Sequence, residues 1–439
     1  MRQSTYIHAS QKTDVITRWR GMGAVLAIAF YSLFFAAHQQ FRDSPIYVRD
    51  GLLFGAESQT VFQDLTTTRT GNHRQIGPEH SVFTLLHQGP TQALIHGWQW
   101  LGQDLNQAKK YSVALLTCLA GALTVVMVYH SLLWSGVVSL RAVMISVICG
   151  ASTCLFVTAP LPEVWVFAGL GLAALMAVTA RGALAPWWLH GLVSIYAIGC
   201  FVGNVLPALL MALARCAYDS SQQQRFIVRP LLVVLVAITV SFGLANLQRV
   251  IYPQSTPLPT RLTDWKIRSE PWISTRENAG LVSREVFLAN IVAPRVVSTE
   301  ADNGLGNRRR VVLAGAAWPK LNFQNGIMAG WLLLLALAFA GLVWRAQMDP
   351  FTLGIVSILV WCLAALPWYG DLDRLLVQAC LWTPAVVIAV GLGLERSLEH
   401  WPRAKLPITF LLVAFVCTQI TRNWMFLQEV VAQLKSKVG

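Results

Sequence analysis

The feature that most limits how this chain can fold is the recurrence of long apolar runs. Stretches of about 15 to 22 mainly apolar residues follow one another along nearly all of its 439 residues. Each is close to the roughly 20 residues that cross a bilayer as a helix, whereas barrel strands would be shorter and would alternate apolar with polar. The runs predict spans near 22–37, 111–133, 142–159, 163–180, 187–202, 204–217, 230–247, 328–345, 351–367, 375–394 and 406–422. The short pair at 187–202 and 204–217 meets at Asn204 and reads either as two short helices or as one bent span. Residues 81–101 are apolar but interrupted by His87, Gly89, Pro90 and His96, and read as a partly buried surface helix. With 55% hydrophobic and 13% charged residues and a mean hydropathy of +0.52, the expected fold is all-α, a polytopic transmembrane bundle of about eleven spans.

Charge sets the expected orientation. Arg2, Lys12, Arg18 and Arg20 precede the first span without a small-residue cleavage site, which reads as a cytoplasmic anchor and not a cleaved signal. With the N-terminus inside, Arg141, Arg181, Arg215 to Arg229, Arg345 and Arg396 to Lys405 also fall inside, as basic short loops should. Two long polar segments then fall outside, 38–110 and 248–327. The chain divides into an N-terminal transmembrane module with the first outer loop (1–247), an extracytoplasmic loop (248–327) and C-terminal transmembrane helices (328–439). The formal net charge is +13, and the second loop adds to it, with eleven Lys and Arg against six Asp and Glu. That excess suits either a solvated basic surface or an anionic partner such as a lipid phosphate or diphosphate. No nucleic-acid-binding motif accompanies it, so nucleic acid is not an expected partner. All eight cysteines lie in or at the ends of predicted spans, which points to small buried residues and not to a disulfide framework or a zinc site.

The scarce acidic residues cluster at the outer connections. Asp43, Asp50, Glu57, Asp64 and Glu79 follow the first span, Glu163 starts a later one after "APLP", and Asp371 and Asp373 lie in "PWYGDLDR". Asn204 marks another outer turn. Such groups converge if the bundle encloses a cavity open to the outside. Glu57 and Asp64 are seven residues apart, so both carboxylates fit one face of a helix. The apolar neighbourhood "GLLFGA" disfavours a bare charge at Glu57 unless a cation, a metal or Arg74 offsets it, and a carboxylate so placed suits a base. His80 and His87 share the same spacing, although a lone histidine is more often structural. Glu163, after Pro162, falls in the first turn of its helix, where a negative charge complements the dipole, or else belongs to the site.

The order of "FGAES" (54–58), "QDL" (63–65), "NHR" (72–74), "HSVFTLL" (80–86), "PE" (162–163), "GN" (203–204) and "LLVQACLWTP" (375–384) resembles the GT-C superfamily of multi-spanning glycosyltransferases, and within it a divergent bacterial branch. The likeness is spread over about 60% of the chain. Two positions depart from the pattern: Glu57 stands where it has Asp, and Ser81 follows His80 where it has Pro. The resemblance implies an enzyme of the bacterial plasma (inner) membrane with its active site facing outside. It would move a sugar from a polyprenyl-phosphate donor to an acceptor glycan, lipid or protein. It implies Glu57 as base with Asp64 second, and His80 orienting the base or ligating a metal. Arg74, Lys266, Arg268 and Arg276 would meet the phosphate, with Glu163 and Asn204 also at the substrate. The chemistry leaves room for a divalent cation such as magnesium or manganese. A lipid-linked oligosaccharide polymerase or ligase is an alternative whose chemistry would rest on the Arg-rich outer loop. A lipid or solute transporter is the non-enzymatic one, which predicts internal repeats or mid-span charges.

Overall fold

The computed structural model describes residues 9–67, 80–218, 228–253, 280, 282–293, 295–301, 308–314, 323–344, 348–369 and 374–436. The first half contains α1 (Ala9–Phe41), α2 (Ser58–Thr66), α3 (Phe83–Trp100), α4 (Leu105–Trp134), α5 (Ser139–Gly150), α6 (Thr153–Thr158), α7 (Trp165–Ala180), α8 (Trp187–Cys200), α9 (Val205–Tyr218) and α10 (Val228–Ile251). After an antiparallel hairpin, β1 (Arg295–Ala301) with β2 (Arg308–Ala314), follow α11 (Phe323–Trp344), α12 (Pro350–Tyr369), α13 (Leu375–Gln378), α14 (Thr383–His400) and α15 (Lys405–Ser436).

Among the described residues, five helices are long and apolar enough to cross a membrane: residues Gly21–Phe41 of α1, α4, α10, Gly326–Trp344 of α11, and Pro402–Lys435 around α15. Five shorter apolar helices accompany them, and the chain is a membrane protein. Its helices divide into two kinds. α14 is buried from Thr383 to Leu394 without interruption, as expected of a helix apolar on every side at the centre of a bundle. α10 is just as apolar but exposes Leu231, Leu232, Leu235, Val236 and Phe242, a surface suited to lipid and not to water. α14 touches α11 backbone to backbone: a Cβ on Gly393 would stand 2.2 Å from the Ala338 carbonyl oxygen, and one on Gly341 2.1 Å from that of Gly393. Small residues permit that approach.

Two of the expected continuous spans are broken. The run at 142–159 divides into α5 and α6 at Ala151 and Ser152, and the run at 375–394 into α13 and α14 across 379–382. A broken helix inside a bundle exposes backbone groups that something must satisfy. Here α15 supplies the partners: Asn423 Nδ2 donates to the Ala151 carbonyl (2.5 Å) and Gln419 Nε2 to that of Ile148 (3.2 Å). Both amides also reach the Ile291 carbonyl, at 3.0 and 2.9 Å. Residues 282–293, within the segment expected as an outer loop, are therefore built into the bundle, with Val286, Asn290, Ile291 and Val292 buried. Asn290 completes the join: its carbonyl accepts from the Cys154 N–H (3.2 Å) and its Nδ2 donates to Thr383 Oγ1 (2.9 Å).

Candidate functional site

The loop before α2 is shaped to present one carboxylate. Gly51 N–H donates to the Ala56 carbonyl and Ala56 N–H to that of Leu53, both at 2.8 Å. The turn passes through left-handed conformations at Gly51 (φ 70°), Phe54 (φ 48°) and Gly55 (φ 67°). Phenylalanine at positive φ is strained, and burial of its side chain, stacked on Phe426 of α15 with centroids 6.0 Å apart, holds it there. The turn delivers Glu57 to the N-cap position of α2, yet Glu57 makes no side-chain cap. Asp50 does that work instead, accepting from the Thr60 N–H (2.9 Å) and hydroxyl (2.6 Å). The Glu57 carboxylate is thereby released from helix capping.

It pairs with Arg374, at the N-cap of α13, at 2.6 Å, with the two side chains 26% and 29% exposed. That exposure leaves both reachable by a substrate. Glu163 lies behind them in the link between α6 and α7, 1% exposed. Burial and the neighbouring Glu57 carboxylate push its pKa up to about 8, while Arg374 and the backbone N–H groups of Val164 and Glu57 pull the other way. Its Oε1 accepts from the Val164 N–H at 3.2 Å, and its Oε2 is buried without a hydrogen-bond partner among the described residues. The helix-dipole reading of Glu163 is corrected accordingly: α7 begins two residues later, at Trp165, and near neutral pH the carboxyl carries a proton.

His80 is 3% exposed. Its Nδ1–H donates to the Cys200 carbonyl (2.6 Å), and its ring stands edge-on to Trp165 (4.8 Å) beside Phe201 (5.8 Å). The fixed tautomer leaves Nε2 as the acceptor. Trp165 ties this aromatic pocket to Glu163, two residues before it. Asp64 is buried on α2. Asn204 forms the expected turn, and its Nδ2 donates to the Ala197 carbonyl (3.0 Å) and, more weakly, to that of Ala168 (3.5 Å), so its amide nitrogen joins helices. His87 likewise bonds its own helix through the Phe83 carbonyl (2.9 Å) and meets Tyr196 (3.3 Å).

Arg74, Lys266, Arg268 and Arg276, with Asp371 and Asp373, lie outside the described residues. Among the described residues no group of three or more His, Cys, Asp or Glu comes together to ligate a metal; at the carboxylate pair, Arg374 supplies the positive charge. Arg374 is the residue that sequence reasoning passed over. Its only signal is its place at the end of "GDLDR", a basic residue closing an acidic stretch between two apolar runs. No protein-family model matches the chain, and no curated protein matches it significantly.

Proposed function

We propose that the protein is a membrane glycosyltransferase of the GT-C kind. It moves a sugar from a polyprenyl-phosphate donor to an acceptor hydroxyl on the outer face of a bacterial plasma membrane. The reading takes the bundle as eleven passes, α5 with α6 and α13 with α14 each making one. The observation that carries it is the partly exposed Glu57–Arg374 pair backed by the buried, protonated Glu163.

The acceptor oxygen attacks the anomeric carbon, the bond from that carbon to the phosphate oxygen breaks, and the acceptor proton passes to Glu57. Once Glu57 is neutral, the attraction between Glu57 and Arg374 is lost, and the guanidinium turns its charge toward the departing lipid phosphate. Base and phosphate stabiliser are thus one coupled pair. Protonated Glu163 keeps the net charge of the three groups at zero, so an anionic donor meets no repulsion. Ionisation of Glu163 adds a negative charge, and transfer falls as pH rises through about 8.

Transfer of labelled sugar from a panel of polyprenyl-phosphate sugars, by purified protein in lipid nanodiscs, tests the reading. Glu57→Gln is expected to lower the rate by roughly 10²- to 10⁴-fold with donor binding retained, and Asp64→Asn by less. Wild-type protein that binds no donor in the panel would overturn it in favour of a transporter.

A further inference from the structure

The opposite end of the bundle holds a feature that glycosyl transfer does not use. Where α14 ends beside α11, a cavity of about 110 Å³ is lined by Trp344, Arg396, Ser397, Glu399, His400 and Trp401. The rings of Trp344, His400 and Trp401 form a triangle with centroids 5.0 to 5.8 Å apart. Trp344 closes the apolar stretch Gly326–Trp344, and Trp401 immediately precedes Pro402–Lys435. Both therefore sit at span ends, the level at which tryptophan anchors among lipid headgroups, and both are exposed.

The polar groups around the cavity carry both signs. Arg396 Nη2 is held by Asp349 and by Thr352, but its Nη1 is buried with no hydrogen-bond partner among the described residues. A guanidinium N–H buried in this way is costly, and a phosphate oxygen is the acceptor it fits best. Against it stand Glu399, the faces of two tryptophans and the carbonyl end of α14, all of which favour positive charge. A simple anion would meet Glu399 and the helix terminus, and a simple cation would meet Arg396. A group carrying both charges a few bonds apart satisfies each wall.

We propose that this cavity binds the headgroup of a zwitterionic phospholipid, its phosphate at Arg396 Nη1 and its ammonium among Trp344, Trp401 and Glu399. A volume of about 110 Å³, several times the roughly 30 Å³ of a water, admits a phosphoethanolamine-sized group.

Native mass spectrometry of the purified protein titrated with phosphatidylethanolamine or phosphatidylglycerol tests this. The zwitterionic lipid is expected to be retained about fivefold better, and the double variant Trp344→Leu/Trp401→Leu to remove that preference, a change of about 1 kcal/mol. Both positions are exposed, so the melting temperature and sugar transfer stay unchanged. Arg396→Gln should weaken retention of both lipids. Equal retention of the two lipids by the wild type, or a preference that survives the double variant, overturns the proposal. Binding of soluble O-phosphorylethanolamine without any lipid preference also overturns it, because the ligand would then come from solution.

Discussion

Glu395 and Glu163 are both carboxyl groups held within this bundle, and they are treated in opposite ways. Glu395, near the end of α14, receives Arg141 in a two-pronged grip, Nε to Oε2 at 2.8 Å and Nη2 to Oε1 at 2.5 Å. Glu163, at the other end, has no arginine of its own among the described residues: Arg374 pairs with Glu57, and Glu163 stands behind that pair. The first arrangement spends each charge on joining helices, since Arg141 belongs to α5 and Glu395 to α14. The second leaves one charge pair partly exposed and one carboxyl neutral. The two ends thus differ in how completely their acids are paired, and the proposed reaction belongs at the less completely paired end.

Removing the grip at the paired end should have the largest effect. Glu395→Ala leaves Arg141, with a side chain 9% exposed, without its carboxylate, and the expected loss is about 3 kcal/mol or more in detergent-unfolding measurements. Sugar transfer per folded molecule should stay unchanged; a matching loss of transfer in the folded fraction would erase the distinction between the ends.

Glu163→Gln should act in the opposite direction and depend on pH. The ordinary value for the carboxyl is 4.5 and its folded value about 8. Below 4.5 the folded and unfolded chains are both protonated and the burial carries no ionisation penalty. From 4.5 to about 8 only the unfolded chain ionises, so wild-type stability falls as pH rises, and it levels off above. The glutamine variant lacks this fall. It should match wild type at pH 4.5 and exceed it by about 2 kcal/mol at pH 6, at about 1.4 kcal/mol per pH unit. Parallel stability profiles for the two proteins would show that Glu163 is ionised in the folded chain.

The smallest effect is expected at the turn. Gly55→Ala places a Cβ at φ 67°, at a cost of about 1 kcal/mol. Because Glu57 is two residues away, transfer should fall more than the melting temperature does, and an unchanged rate would show that the turn does not set the carboxylate's position.

Much of the helical fold was legible because hydropathy reports length. Each apolar run anticipated from the sequence falls on helix, two of them in broken form, and residues expected to be helical within 81–101 form α3. The breaks at Ala151 and across 379–382 were not legible, since apolar residues flank both and the groups that satisfy them, Asn423 and Gln419, lie far along the chain. The insertion of 282–293 was hidden for the converse reason: Arg284, Glu285 and Asn290 make an embedded segment look like loop. At the candidate site, the apolar setting of Glu57 and the Pro before Glu163 drew attention to two carboxyl groups that the structure places close together. Their convergence and the part played by Arg374 depend on contacts between distant helices, which no local pattern carries. Asp50 was counted among the outer acids, but nothing in the sequence said that it would take over the capping and so release Glu57.

The glycine contact between α11 and α14 has a mechanical consequence. With Gly341 and Gly393 each facing a backbone carbonyl of the other helix closer than any side chain allows, the two helices cannot slide past one another without separating. They behave as a welded beam. Arg374, just before α13, is joined to this beam only across the break at 379–382, so the acidic end and the beam meet at a joint and not along one continuous helix.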